Sequence, residues 1–215
     1  MPITLAYWDI RGLAQPARLL LEYVGEDYED KKYVCGPAPD FDRSCWMDVK
    51  HTLGFDFPNL PYLIDGDIKI TQSNAILRYI ARKHNLCGTT EKSRALCDMA
   101  ADQVMDLRNG AVRQFYGRGG EKEAYIDNLL PTLKSFDAFL GDKSWLCGDE
   151  ITFPDFHFYE MLDQHKMYSP DLLKDLPRLQ AYTQRFEALP KIKSYMASGR
   201  FMKSPVNNRM AKWQG

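Results

Sequence analysis

The sequence predicts a small α/β unit followed by a larger all-helical unit, and three observations carry that prediction. Strand-like and helix-like segments alternate up to about Asn85. Beyond that point strand signals vanish and long stretches of helical periodicity take over. The order strand, helix, strand, irregular segment, hairpin, helix in the first part is that of a mixed sheet covered by helices.

Taken in order, Ile3 to Tyr7 reads as a short buried strand. After Arg11-Gly12, the residues Leu13, Ala17, Leu20, Leu21 and Val24 recur at helical spacing. Pro16 fits only near the first turn, where backbone N–H groups lack partners anyway. Gly25 is a stop signal. Tyr28 to Val34 alternates as a second strand. Cys35-Gly36-Pro37-Ala38-Pro39-Asp40 cannot continue a central strand and reads as a loop. Tyr62-Leu63-Ile64 and Ile68-Lys69-Ile70 flank Asp65-Gly66, a hairpin signal. Thr71-Gln72-Ser73 opens a helix in which Ile76/Ile80 and Leu77/Ala81 stand four apart. The helical part breaks near Gly117-Arg118-Gly119-Gly120, Gly141-Asp142 and Ser169-Pro170. Thr152 to Asp155 has the form of a capping box that would start a helix over Asp155 to His165. The stretch from Arg200 to Gly215 has weak periodicity and is expected to lie over the surface.

Composition narrows the function classes. The chain has 215 residues, 45% apolar and 27% charged, ordinary globular values that argue against disorder. Lys and Arg number 28 against 29 Asp and Glu, so a net charge of −1 gives no electrostatic reason to expect nucleic acid or an anionic membrane as partner. No apolar run approaches the roughly 18 residues of a membrane-spanning helix. Asp9 and Arg11 stand where a secretory segment would need apolar residues. Cys35, Cys45, Cys87, Cys97 and Cys147 are odd in number and contain no C-x-x-C spacing. The expectation is a cytoplasmic protein with free thiols.

Several side chains are placed for chemistry, each weakly when taken alone. Tyr7 ends a strand beside a loop, where a phenol can donate to an anion without itself being charged. Packing is the commoner role for such a tyrosine. Pro61 precedes a strand, and a cis bond there would turn the backbone of Leu60 outward to pair with an extended peptide. A trans proline at a sheet edge is the ordinary alternative. Gln72-Ser73 sits at a helix start, where free N–H groups and the helix dipole suit a carboxylate. Trp46 and Lys50, four apart, could frame a second carboxylate, or simply form a solvated helical face. His51, His84, His157 and His165 show no metal-ligand spacing, so packing or surface roles are expected and no metal is. Together these features suit a small, doubly anionic peptide with a reactive atom near Tyr7.

Four runs make the sequence recognisable: Thr4-Leu5-Ala6-Tyr7-Trp8-Asp9-Ile10-Arg11-Gly12, Gly36-Pro37-Ala38-Pro39-Asp40-Phe41-Asp42-Arg43-Ser44, Asp56-Phe57-Pro58-Asn59-Leu60-Pro61-Tyr62 and Thr71-Gln72-Ser73-Asn74-Ala75-Ile76-Leu77. They resemble the mu class of cytosolic glutathione S-transferases, and the likeness extends over essentially the whole chain. It implies a thioredoxin-like N-terminal domain over 1–84, a linker at 85–90 and an all-helical domain over 91–215. It also implies a homodimer and conjugation of glutathione, as co-substrate and with no other cofactor, to hydrophobic electrophiles in detoxification. By this resemblance Tyr7 stabilises the glutathione thiolate, and Trp8, Arg43, Trp46 and Lys50 hold the glycyl end. Asn59 and Leu60 bond the cysteinyl backbone beside a cis Pro61, and Gln72 and Ser73 take the γ-glutamyl carboxylate. Asp106 reaches the glutamyl amino group from the partner subunit, and Phe57 is the aromatic key between the partner's helices. The electrophile site is lined by Tyr7, Trp8, Leu13, Arg108, Val112 and Tyr116, with Arg209 and Met210 as a lid.

The chain departs from the family pattern at Asn109, Arg113 and Arg209, where relatives are often apolar. If those side chains face the cleft, the pocket is more polar than usual. Cys45 beside Trp46 is a candidate for glutathionylation or alkylation that blocks the site. Two other classes compete with the transferase reading. One is a non-catalytic carrier of hydrophobic ligands. The other is a thiol–disulfide oxidoreductase, which would need a cysteine near the start of the first helix, where this chain has none. An isomerase using glutathione as cofactor is not separable by sequence.

Overall fold

The computed structural model describes residues 2–117 and 119–215, so Arg118 of the glycine-rich turn lies outside the described residues. Four strands, β1 (Ile3–Trp8), β2 (Tyr28–Tyr33), β3 (Tyr62–Asp65) and β4 (Ile68–Thr71), form one sheet in the order β2-β1-β3-β4. β1 pairs in parallel with β2, Ile3 opposite Tyr28, and antiparallel with β3, Leu5 opposite Leu63. A parallel neighbour requires a crossover, which α1 (Gln15–Val24) supplies. Being central, β1 is apolar nearly throughout.

Local chemistry sets the ends of these elements. Pro16 lies in the first turn of α1, and Gly25 ends it at φ 81° with its N–H on the Leu21 carbonyl. The hairpin turn is Gly66-Asp67, one residue later than the sequence signal, because Asp65 pairs with Ile68 and Gly66 takes φ 58°. Following the short α2 (Ser44–Met47) the chain stays helical enough for the Lys50 N–H to reach the Trp46 carbonyl at 2.9 Å. α3 (Ser73–Lys83) completes this part.

The remaining helices are α4 (Glu91–Tyr116), α5 (Lys122–Leu140), α6 (Phe153–Tyr168), α7 (Pro177–Ala188) and α8 (Pro190–Ala197). α6 begins two residues earlier than expected and is buried on nearly every side, between α1 and α4. Its start is fixed by Asp155, which accepts from the Thr152 N–H (2.9 Å), the Leu146 N–H (2.9 Å) and the Tyr182 hydroxyl (3.0 Å). Burial pushes the Asp155 carboxyl up to about 6 despite those donors.

One apolar core runs through both parts, from Leu5, Leu20 and Ile76 to Val104, Phe156 and Phe186. The loop after β1 is tied to the helical part by Arg11, which is buried and bonds Glu160 and Asp163, each at 2.6 Å. Removing one partner of such a buried pair costs about 3–5 kcal/mol. The C-terminal stretch is irregular, as expected, yet Val206, Asn207 and Asn208 are buried where it crosses the loop after β1. The N–H groups of Arg11 and Gly12 bond Pro205 and Val206 at 2.9 and 3.0 Å.

Candidate active site

Tyr7 sits one residue from the end of β1 and is 6% exposed. Gly12 leaves room for it: a Cβ there would stand 2.5 Å from the Tyr7 ring and 2.9 Å from its hydroxyl, and Gly12 holds φ 42°. Burial raises the Tyr7 pKa, opposed by the positive charge of Arg108 and by the Leu13 N–H facing the hydroxyl. The phenol is therefore protonated at neutral pH. A protonated phenol keeps an O–H that can be donated to a ligand.

Around Tyr7 the sheet side brings together Trp8, Trp46 and Leu60 of the residues singled out in the sequence. Tyr7, Trp46 and Leu60 share a cluster with Tyr33 and Tyr62, and Trp8 packs on it edge-to-face with Tyr33 at 6.5 Å. Trp46 is 4% exposed, with its ring 5.3 Å from that of Tyr33, so the solvated-face alternative is wrong for this residue: aromatic packing draws it inward. Lys50 is half-buried and Arg43 exposed. The Leu60–Pro61 bond is cis. Leu60's N–H, expected to face a peptide, is taken by its neighbour's side chain, Asn59 Oδ1, at 2.9 Å. Asparagine commonly bonds nearby backbone in this way. Cys45 is exposed, with its thiol on the Val34 carbonyl at 3.2 Å.

Gln72 precedes α3 at φ 73°, ψ 114°, a conformation non-glycine residues rarely adopt. Ser73, 7% exposed, is the first helical residue. The first turn of α3 has no capping side chain and no acidic residue. Its N–H groups and dipole are thus available to an anion.

On the helical side, Arg108, Val112 and Tyr116 project from α4 and are half-buried. Arg108 and Val112 line a narrow slot with Gly12 and Asn207. The Tyr116 hydroxyl accepts the Asn208 N–H at 2.6 Å, which fixes the C-terminal segment beside it. Leu13 is half-buried, while Arg209 and Met210 are exposed. Asn109 is exposed on α4. Arg113 lines a different cleft, between α4 and α5, together with Asp106. That cleft, of about 590 Å³, holds none of the groups around Tyr7. An adjoining groove of about 330 Å³ includes Met99, Ala100, Phe136 and Phe139.

Sequence reasoning missed Arg11 as an anchor and Gly12 as the space for Tyr7. The partner of Arg11 lies 149 residues away, beyond any local spacing. The histidines are packing or surface residues. Burial holds His157 down to about 3 and His165 to about 4, and His84 meets Glu26 at 3.0 Å. Among the described residues no cluster of three His, Cys, Asp or Glu side chains could hold a metal, and no helix is long and apolar enough to cross a membrane.

Comparison with known proteins decides the family. The model "Glutathione S-transferase, N-terminal domain" matches residues 3–82, and "Glutathione S-transferase, C-terminal domain" matches 105–199. Glutathione S-transferase Mu 5 of Mus musculus and glutathione S-transferase Mu 3 of Homo sapiens are each 53% identical over 213 residues, covering 98% of this chain and 95% of theirs. The chain belongs to the glutathione S-transferase family. Its fold agrees closely with that of solved transferases. The glutathione S-transferase Blo t 8 superposes with a TM-score of 0.88 at 32% identity, covering 99% of this chain and all of that one. The Onchocerca volvulus Pi-class enzyme superposes with a TM-score of 0.87 at 34% identity and the same coverage. The α/β thioredoxin-like and all-helical parts of this transferase are those the sequence predicted.

Proposed function

We propose that this transferase uses Tyr7 to hold glutathione as its thiolate and delivers that sulfur to hydrophobic electrophiles bound on the helical side of the cleft. The observation that carries the assignment is the Tyr7 side chain, buried near the end of β1 with its phenol held neutral. A thiol of pKa near 8.5 is only about 3% ionised at pH 7, and lowering it by roughly two units requires about 2.7 kcal/mol. One hydroxyl donating to an anion supplies about 1.5–3 kcal/mol, so one phenol is sufficient in magnitude. The thiolate sulfur then forms the new bond to carbon, and the leaving group departs with its electron pair.

In this reading the 1–84 domain holds glutathione and the 91–215 domain, beyond a linker at 85–90, supplies most of the electrophile wall. Trp8, Arg43, Trp46 and Lys50 take the glycyl end, two cations meeting one carboxylate. Asn59 and Leu60 bond the cysteinyl backbone, with the Asn59 side chain yielding the Leu60 N–H to the ligand. Gln72 and Ser73 take the γ-glutamyl carboxylate at the uncapped start of α3. Leu13, Val112, Tyr116, Arg209 and Met210 surround the electrophile, Tyr116 having an O–H to donate to a developing oxyanion. The work is detoxification in the cytoplasm, with no cofactor beyond glutathione as co-substrate.

The active form is a homodimer in this reading. Phe57 is 79% exposed, and its burial would contribute about 1.5–3 kcal/mol. The groove lined by Met99, Phe136 and Phe139 in a second copy suits it, and brings Asp106 of that copy toward the glutamyl amino group. Phe57→Ser is expected to sediment as a monomer at micromolar concentration; a dimer would remove Phe57 as the main anchor. The catalytic assignment is tested by conjugation to 1-chloro-2,4-dinitrobenzene. Tyr7→Phe should lose about 10- to 100-fold in kcat while glutathione affinity holds. Equal turnover in both proteins would mean that another group activates the thiol.

A further inference from the structure

Among the described residues three guanidiniums are withdrawn from water near the cleft, and only two of them have a counter-charge. Arg11 is held by Glu160 and Asp163, and Arg18 by Asp30. Arg108 is different. The charged and titratable groups that bear on its pKa are the phenols of Tyr7 and Tyr116, with no carboxylate among them, and burial lowers it from the usual arginine value. Its other titratable neighbour is His157, 2% exposed and neutral, whose Nδ1 has no partner among the described residues.

Geometry places this cation on the slot beside Tyr7. Arg108 lines the slot with Gly12, Val112 and Asn207, no Asp or Glu is among its lining residues, and Gly12 lies against the Tyr7 ring. The Tyr116 hydroxyl accepts the Asn208 N–H, which holds the C-terminal segment, with Asn207 in the slot's lining, against α4. A guanidinium partly out of water and without a counter-ion gains more from an incoming carboxylate than a solvated one does, because its own desolvation has already occurred. Its planar fork also matches a carboxylate with two parallel N–H donors.

We propose that the electrophile side of this cleft selects acceptors carrying a carboxylate remote from the reacting carbon, received by Arg108. This rests on the reading of Tyr7 as the group that holds the thiolate. With an activated aryl chloride as acceptor, the thiolate sulfur bonds the ring carbon, the carbon–chlorine bond breaks, and chloride leaves with the electron pair. The carboxylate is not consumed; it orients the ring so that the reacting carbon faces the sulfur.

The test compares 4-chloro-3-nitrobenzoate with 4-chloro-3-nitrobenzamide, each rate divided by its uncatalysed reaction with glutathione at the same pH. The wild-type chain should prefer the carboxylate by about tenfold in kcat/KM, the size of one charge-assisted pair. That ratio should fall toward one in Arg108→Gln and be largely kept in Arg108→Lys, whose charge survives. Wild-type turnover of both acceptors with a ratio near one overturns the proposal and leaves the transferase reading standing. A preference that persists in Arg108→Gln does the same. Turnover of neither acceptor while 1-chloro-2,4-dinitrobenzene is still conjugated overturns the selection alone; loss of that conjugation too overturns the transferase reading, and the selection with it.

Discussion

On the sheet side of Tyr7, position is set by backbone: the end of β1, the cis bend before Pro61, and the start of α3 with Gln72 at φ 73°. On the helical side, Arg108, Val112 and Tyr116 extend from one face of α4, and Tyr116 meets a C-terminal segment without regular structure. A wall built from strand ends and a helix start recognises one ligand, because its donors are fixed with the fold. A wall of side chains and an irregular segment can change its chemistry without disturbing that fold. In the proposed reading glutathione belongs to the first wall and the electrophile to the second.

If the helical wall rests on a core that tolerates no new charge, acid should weaken it first. His157 keeps a folded pKa of about 3, below its ordinary 6.5, chiefly through burial and secondarily through Arg108. The unfolded chain therefore binds the extra proton first, and stability falls as pH drops below 6.5. Between pH 6.5 and 4 this group accounts for a loss of about 3 kcal/mol. Urea melts of His157→Leu across that window should show a decline shallower by about that amount. Identical slopes in the two proteins would remove His157 as the acid-sensitive point.

A break on the sheet side should act on chemistry instead. Gly12→Ala would set a Cβ against the Tyr7 ring at a positive φ, displacing the phenol. A misplacement of ~1 Å can cost about 10²-fold, so kcat is expected to fall by that order while glutathione affinity changes little. Unaltered kcat would show that Tyr7 has more freedom than its packing implies. The smallest expected effect is that of Tyr116→Phe, which leaves the Asn208 N–H without its acceptor. It should cost about 1 kcal/mol of stability, lower kcat toward acceptors that develop an oxyanion and raise the KM of the electrophile, with that of glutathione unmoved. A rise in both KM values would mean that the two walls are coupled.

The same contrast governs what could be read from the sequence. β1, α1 with its Gly25 stop, the hairpin and the Thr152–Asp155 cap were legible because each is written in neighbouring residues. The hairpin turn was misplaced by one position, since either Asp65-Gly66 or Gly66-Asp67 satisfies the local signal and only strand pairing decides. Tyr7, Leu60 and Ser73 were legible as candidates because they sit at element ends. The inward turn of Trp46 was not, as it depends on Tyr33 and Tyr62 arriving from other strands. Nor were the Arg11–Glu160 pair, the bond between Tyr116 and Asn208, or the turning of Arg113 toward α5 instead of Tyr7. Each of those is settled by packing between segments far apart in the chain.

The central claim is that one neutral phenol makes the thiolate, and the ionisation of bound glutathione measures that directly. Thiolate absorbance should be followed against pH for the complexes of the wild-type chain and Tyr7→Phe. A thiol pKa about two units below 8.5 in the wild-type complex, returning most of the way toward ~8.5 in Tyr7→Phe, is the predicted result. The same titration in both complexes would contradict the account.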